Sequence, residues 1–322
     1  VYWPVTIARL QKYGIDDPVA NSYIALDEFV ERNPFHFILV GMARLMPLFS
    51  HAPEMEKYRF DYLNNVYNRH DSYNPWTCEG TENHISMSRT SGYIFAQIME
   101  KYPGRYPKAV QFKQMMKKWI RYYSKRIYEV GTGEFNAGTY GIFNIIGWLN
   151  LFDFADDNEV RLMARAVLDY YAVEIALHYT QGMTGGSESR GAPTTKACHT
   201  ETDYLAWLWY NDSPKPIDKN FFNDKKNKHP LQVVHAATSN YRPPEIARPL
   251  AMKRIHVPAF YKKIKPSYLL ATPSYIKQHF YISHNFTLGT AYYHYGAFTT
   301  AAYKNVTWKL VSRVDSGQGK NP

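Results

Sequence analysis

Cysteine is scarce here: Cys78 and Cys198 are the two in 322 residues. That excludes a disulfide-stapled scaffold. Neither cysteine lies in a CxxC, and no HExxH is present, so no zinc centre is expected even though Cys78 precedes His84 by six residues and Cys198 adjoins His199. No run of 18 apolar residues occurs, so no membrane-spanning helix is expected. Dense Lys/Arg blocks, zinc-finger spacing and RNP-like strands are also missing. Lys225-Lys226-Asn227-Lys228 is the one tight basic cluster, and nucleic acid is not the expected partner. The chain shows no low-complexity segment, no exact repeat and no visible leader before Val1. Sequons at Asn211, Asn285 and Asn305 weakly favour secretion.

What is present is hydrophobic content of 45%, enough for one large domain and a smaller one. Lys and Arg number 38 against 28 Asp and Glu, a net +10 that points to a polyanionic partner. Aromatic residues make up 16%, with 28 Tyr and 7 Trp. Flat rings that stack on apolar faces and hydrogen-bond at an edge suit sugars, and they also fill cores.

Residues 35–49 carry only Arg44 as a formal charge, residues 139–155 only Asp153, and residues 204–210 none. A helix apolar all round must be buried all round, so these read as inner helices. Residues 157–180 instead place Val160, Ala164, Val167, Leu168, Tyr171, Ala172, Ile175 and Ala176 at helical spacing opposite Arg161 and Arg165. Residues 108–130 repeat this pattern, and residues 54–70 repeat it more weakly. Alternation of inner and outer helices predicts helical hairpins about a common axis, closed as an (α/α) toroid or open as a superhelix.

Three polar clusters recur about fifty residues apart: Glu82-Asn83-His84, Glu134-Phe135-Asn136 running to Tyr140, and Glu188-Ser189-Arg190 running through His199 to Tyr204. In a hairpin array this period brings all three to one end, where helix N-termini favour an anionic ligand. The same end would carry Cys78 and Cys198, either as a disulfide or as two free thiols. After about residue 240, prolines break the helical pattern and alternation takes over. Strands are expected at 278–283, 296–303 and 306–314, with Trp308, Leu310 and Ser312 on one face of the last. Residues 211–229 read as a polar surface loop. The division is a catalytic helical domain, 1–245, and a β-rich region, 246–322, that begins an antiparallel sheet.

An Asn-His pair opening one inner helix, a Tyr opening the next, an Arg beyond it and a following β region resemble the polysaccharide lyases of the alginate lyase, chondroitin AC lyase and heparinase type. The resemblance spans most of the chain by architecture and rests on Thr81-Glu82-Asn83-His84 as its most specific motif. It implies a carbon–oxygen lyase that cleaves a uronate-containing acidic polysaccharide by β-elimination, secreted or periplasmic. Asn83 and Arg190 would neutralise the substrate carboxylate. His84 or an ionised Tyr would take the α-proton, and Tyr140 or Tyr204 would protonate the leaving oxygen. Trp76, Glu82, Glu134, Asn136 and His199, with Tyr204, would contact substrate. No cofactor is required, with a divalent cation on the carboxylate as the variant. Two other readings stand beside this one. A glycoside hydrolase would draw on Glu82, Glu134, Glu188 and Asp203. A glycan-binding protein would keep the cleft without chemistry.

Overall fold

A computed structural model describes residues 3–26, 36–180, 182–190, 200–210, 231–265, 276–292 and 307–312. The fold is mainly α with a small antiparallel sheet. The helices are α1 (Trp3–Tyr13), α2 (Pro18–Ile24), α3 (His36–Leu48), α4 (Pro53–Tyr67), α5 (Glu82–Met99), α6 (Ala109–Val130), α7 (Gly141–Phe154), α8 (Asn158–His178), α9 (Glu201–Tyr210), α10 (Val234–Ala237) and α11 (Ala247–Ala251).

Burial alternates along the chain as the charge pattern predicts. Helix α3 is covered at almost every position from His36 to Met46, and α7 likewise from Ile142 to Leu151. Between them α4 and α6 bury one face each, Met55, Tyr62, Leu63 and Val66 in the first and Met116, Ile120, Tyr123 and Ile127 in the second. In α8 the buried stripe is the predicted one, from Val160 to Ala176 at i, i+3, i+4 spacing. Helix α5, whose sequence is less apolar, is nonetheless sunk, with Ser86, Ser88, Thr90 and Ser91 among its buried residues. Thr90 and Ser91 bond back to carbonyls of the preceding turn, at 2.6 Å each, and so satisfy hydroxyls that face no water.

By internal contacts the structure forms two compact units. The first comprises Val1–Arg126, Phe143–Leu168 and Leu231–Tyr241, and the second Ile127–Ile142, Asp169–Pro230 and Arg242–Pro322. In the first unit the lone charges of α3 and α7 meet. Arg44 is 0% exposed and bonds Asp153 at 2.9 Å, Asn150 at 3.2 Å and Thr238 at 2.7 Å. Asn150 also reaches the Val40 carbonyl and buried His235, which cross-links these polar groups within the core. At the surface, Lys113, Lys117 and Arg121 of α6 pair with acids at 156–159 around the start of α8. Exposed pairs of this kind contribute little each.

The second unit holds the sheet. After a two-strand hairpin, β1 (Tyr179–Thr180) and β2 (Met183–Thr184), come β3 (Ala259–Lys265), β4 (Ile276–Ile282), β5 (Phe286–Tyr292) and β6 (Trp308–Ser312), joined as an antiparallel meander. Strands β4 and β6 fall where alternation predicts them, β3 and β5 are additional, and residues 296–303 and 211–229 lie outside the described residues. Strand β4 alternates perfectly, with Ile276, Gln278, Phe280 and Ile282 buried. The registers Tyr261↔Phe280, Lys263↔Gln278 and Lys265↔Ile276 put Tyr261, Lys263 and Lys265 on that same inner face. Through Phe280↔Gly289 and Gly289↔Lys309, Lys309 joins them. Trp308 and Leu310 do share a face, as alternation requires, and it is the exposed one, 64% and 52% accessible.

Candidate functional site

Polar residues of the second unit converge in three segments: the turn 131–140 after α6, the segment 183–190 after the β1–β2 hairpin, and the first turn of α9. Backbone bonds lace them together. The Ser189 amide donates to the Phe135 carbonyl at 3.0 Å, and the Thr202 amide donates to the Gly138 carbonyl at 3.0 Å. Thr202 Oγ1 adds a 2.8 Å bond to the same carbonyl. The approach is close enough that a Cβ on Gly138 would lie 2.6 Å from the Thr200 side chain. Gly186, at φ +95, lets the second segment pass over the sheet where a Cβ would come within 2.3 Å of Phe280.

Two of the expected site residues hold left-handed backbone, Asn136 at φ +50 and Arg190 at φ +55. For non-glycine residues this conformation is uncommon and persists where surrounding contacts impose it. For Arg190 those contacts are plain. Its Nη1 donates to Glu134 Oε1 at 2.6 Å, and its guanidinium carbon sits 3.9 Å from the centre of the Tyr140 ring. Glu134 has no exposed side-chain surface and Arg190 only 12%. A charge-assisted bond and a cation–π contact thus fix one guanidinium between an acid and a phenol. Tyr140, just before α7, is half-buried, whereas Tyr204 within α9 is 6% exposed.

Asn136 is held by a deeper set of groups. His178, fully buried and stacked on Phe280 with ring centres 4.2 Å apart, bonds Asn136 Oδ1 at 2.9 Å through Nδ1 and Lys263 Nζ at 3.1 Å through Nε2. A lysine can only donate here, so the network assigns the proton to Nδ1, and His178 donates to the amide oxygen. The Asn136 nitrogen then donates to the Ser187 carbonyl at 3.0 Å. Beyond Lys263 lies Glu174, 2.6 Å from Lys263 and 2.8 Å from Lys265. Burial, with Lys263 next, keeps His178 neutral. Burial also pushes the Lys263 ammonium down to about 8 against the pull of Glu174. The Glu174 carboxyl, raised by burial, is carried well below its usual range by Lys263 and Lys265.

Two further acids of this unit are engaged. Glu188 pairs with Lys309 at 2.5 Å, and burial nevertheless raises its carboxyl. Asp203 accepts from the Thr184 amide at 2.9 Å, from Thr184 Oγ1 at 3.0 Å and from the Thr200 amide at 2.9 Å. Glu201, which the sequence did not single out, is raised by burial to about 8.

In the first unit Glu82 and Asn83 are buried in the opening turn of α5, and His84 beside them is half-buried. The His84 ring lies 3.8 Å, centre to centre, from His36, whose pKa burial and then His84 lower to about 3. Trp76 is 4% exposed and stacks on Phe112 at 4.2 Å with rings 12° apart. Cys78 is a buried free thiol. His199 and Cys198 lie outside the described residues. The structure therefore groups Glu134, Asn136, Tyr140, Arg190 and Tyr204 in one unit, and Trp76, Glu82, Asn83 and His84 in the other.

Comparison of the chain with protein-family models, curated proteins and solved structures gives no significant match. Among the described residues no group of three or more His, Cys, Asp or Glu side chains is placed to hold a metal ion, and no helix is long and apolar enough to cross a membrane. Sequence reasoning missed His178, Lys263 and Glu174. The available signal was slight: an acid and a histidine four apart on a half-buried helix, and two lysines two residues apart on a strand.

Proposed function

We propose that this protein is a polysaccharide lyase, secreted or periplasmic, that cuts a uronate-containing polymer by β-elimination, with its alternating helices wound as an (α/α) toroid. The observation that carries the reading is the Glu134–Arg190–Tyr140 cluster: a cation held against a half-buried phenol on backbone that resists relaxation.

Elimination starts at a carbon whose proton is barely acidic because the adjacent carboxylate is already negative. Arg190 is assigned to hold the substrate carboxylate, its guanidinium fork matching a carboxylate and stabilising the dianion that forms as the proton leaves. A general base takes the α-proton. The C–H electrons become the new carbon–carbon double bond, the bond to the 4-linked oxygen breaks, and Tyr140 gives that oxygen its proton. Tyr140 is preferred to Tyr204 for this step because Tyr204 is almost wholly covered. No step needs a metal ion.

Hydrolysis would require two carboxyl groups flanking the scissile bond. Glu134, Glu188 and Asp203 are instead bound to Arg190, to Lys309 and to Thr184 with Thr200, which favours elimination. The deciding experiment incubates the protein with alginate, glucuronan, hyaluronan, chondroitin, heparan and pectin-type polymers. Ultraviolet absorbance of an unsaturated uronate supports the proposal. New reducing ends without absorbance indicate hydrolysis, and saturable binding without turnover indicates a glycan-binding protein.

A further inference from the structure

A cavity in the sheet-containing unit shares no residue with that cluster. It encloses about 390 Å³ and is lined by Arg242, Arg248, Arg254, Glu245, Trp209 and Met252 together with three prolines. Its volume falls in the range of small-ligand sites, about 300–1,000 Å³. Three guanidiniums against one carboxylate make it electropositive. Arg248 is oriented by donating Nε to the Tyr210 carbonyl at 3.1 Å, which leaves its Nη groups for a ligand. Pro243, Pro244 and Pro249 fix the backbone of the wall, so little ordering is needed when a ligand arrives.

We infer that this cavity binds one anionic sugar unit, its carboxylate on the arginines and the C–H face of its ring against Trp209, as an accessory site apart from the reacting groups. The pocket itself asks for a ligand with one flat apolar face and one anionic edge. Arginine forks match carboxylates in a bidentate manner, and an indole offers the flat surface. The choice of a sugar among such ligands rests on the proposed function above.

The test uses the intact protein labelled with 15N-tryptophan, the Trp209 indole resonance being assigned by its loss in Trp209→Phe. The probe is methyl glucuronoside, which carries no 4-linked sugar to eliminate, with methyl glucoside as neutral control at matched ionic strength. The expected result is a saturable shift of the Trp209 resonance by the glucuronoside, binding about ten-fold tighter than the glucoside and weakened at least about ten-fold in Arg242→Gln/Arg254→Gln. Both arginines are on the surface, and unchanged thermal unfolding confirms that the double variant is folded. No saturable shift, equal binding of the neutral glycoside, unaltered affinity in the double variant, or tighter binding of inorganic phosphate or adenosine 5′-phosphate would each overturn the inference. The titration needs no turnover. A protein that fails the polymer screen but gives this titration loses only the lyase reading, and one that eliminates without the titration loses only this site.

Discussion

The guanidinium of Arg44 lies 2.9 Å from the carboxylate of Asp153, and their side chains are 0% and 2% exposed. These are the single formal charges of two otherwise apolar helical segments, and each is the other's partner. Removing one member of a buried pair strands the other, so Arg44→Leu should destabilise the protein by about 3–5 kcal/mol. Arg44→Met combined with Asp153→Leu should recover most of that loss. Chemical denaturation of the three proteins measures both values, and a double variant as unstable as the single one would show that Arg44 acts mainly through Asn150 and Thr238.

Tyr140 is the group whose loss most directly tests the chemistry. Tyr140→Phe keeps the ring beneath Arg190 and removes only the hydroxyl. It should lower kcat on the best polymer by about 10²- to 10⁴-fold, with KM and unfolding midpoint nearly unchanged. Near-normal turnover would move the acid to Tyr204. Near-normal turnover of Tyr204→Phe as well would end the tyrosine mechanism.

Two buried groups should leave opposite marks on stability against pH. The Glu201 carboxyl is raised by burial from 4.5 to about 8, so its contribution is whole below about pH 4.5 and is lost as pH climbs through 8. Lys263 is lowered by burial from 10.5 to about 8, so the folded state sheds its proton first and stability rises between pH 8 and about 10.5. The difference in unfolding free energy between wild type and Glu201→Gln should therefore shrink in wild type's disfavour from pH 5 to 8. For Lys263→Met the wild type should gain from pH 8 to 10. Flat difference curves would mean that water reaches both groups.

A net charge of +10 drawn on by a polyanion implies salt sensitivity. Exposed charges are screened over about 8 Å at physiological ionic strength. KM for the best polymer should rise steadily with added sodium chloride while kcat changes little. A constant KM would show that the excess charge is not organised around substrate.

What the sequence by itself determined is the sequence of buried and half-buried helices. A stretch with one charge in fifteen residues, such as 35–49, has no face to offer water, and a stripe such as Val160 to Ala176 has one face to hide. Both facts are local, and the helices α3, α7 and α8 obey them. The spacing of Glu134, Tyr140 and Arg190 was also legible, because those residues meet within one unit. Tertiary structure alone decided which face of the sheet turns inward. Two-residue alternation defines two faces without ranking them, and here the face with Phe260, Ile264, Trp308 and Leu310 is the exposed one. The inner face carries Lys263, Lys265 and Lys309. Burying them is tolerable only because Glu174 and Glu188, 89 and 121 residues distant from Lys263 and Lys309 in sequence, come to within 2.6 Å and 2.5 Å. The same long-range packing makes His178 neutral and sets the tautomer that holds Asn136. No local pattern contains that information, since the cost of burying a charge depends on a partner the chain supplies from elsewhere.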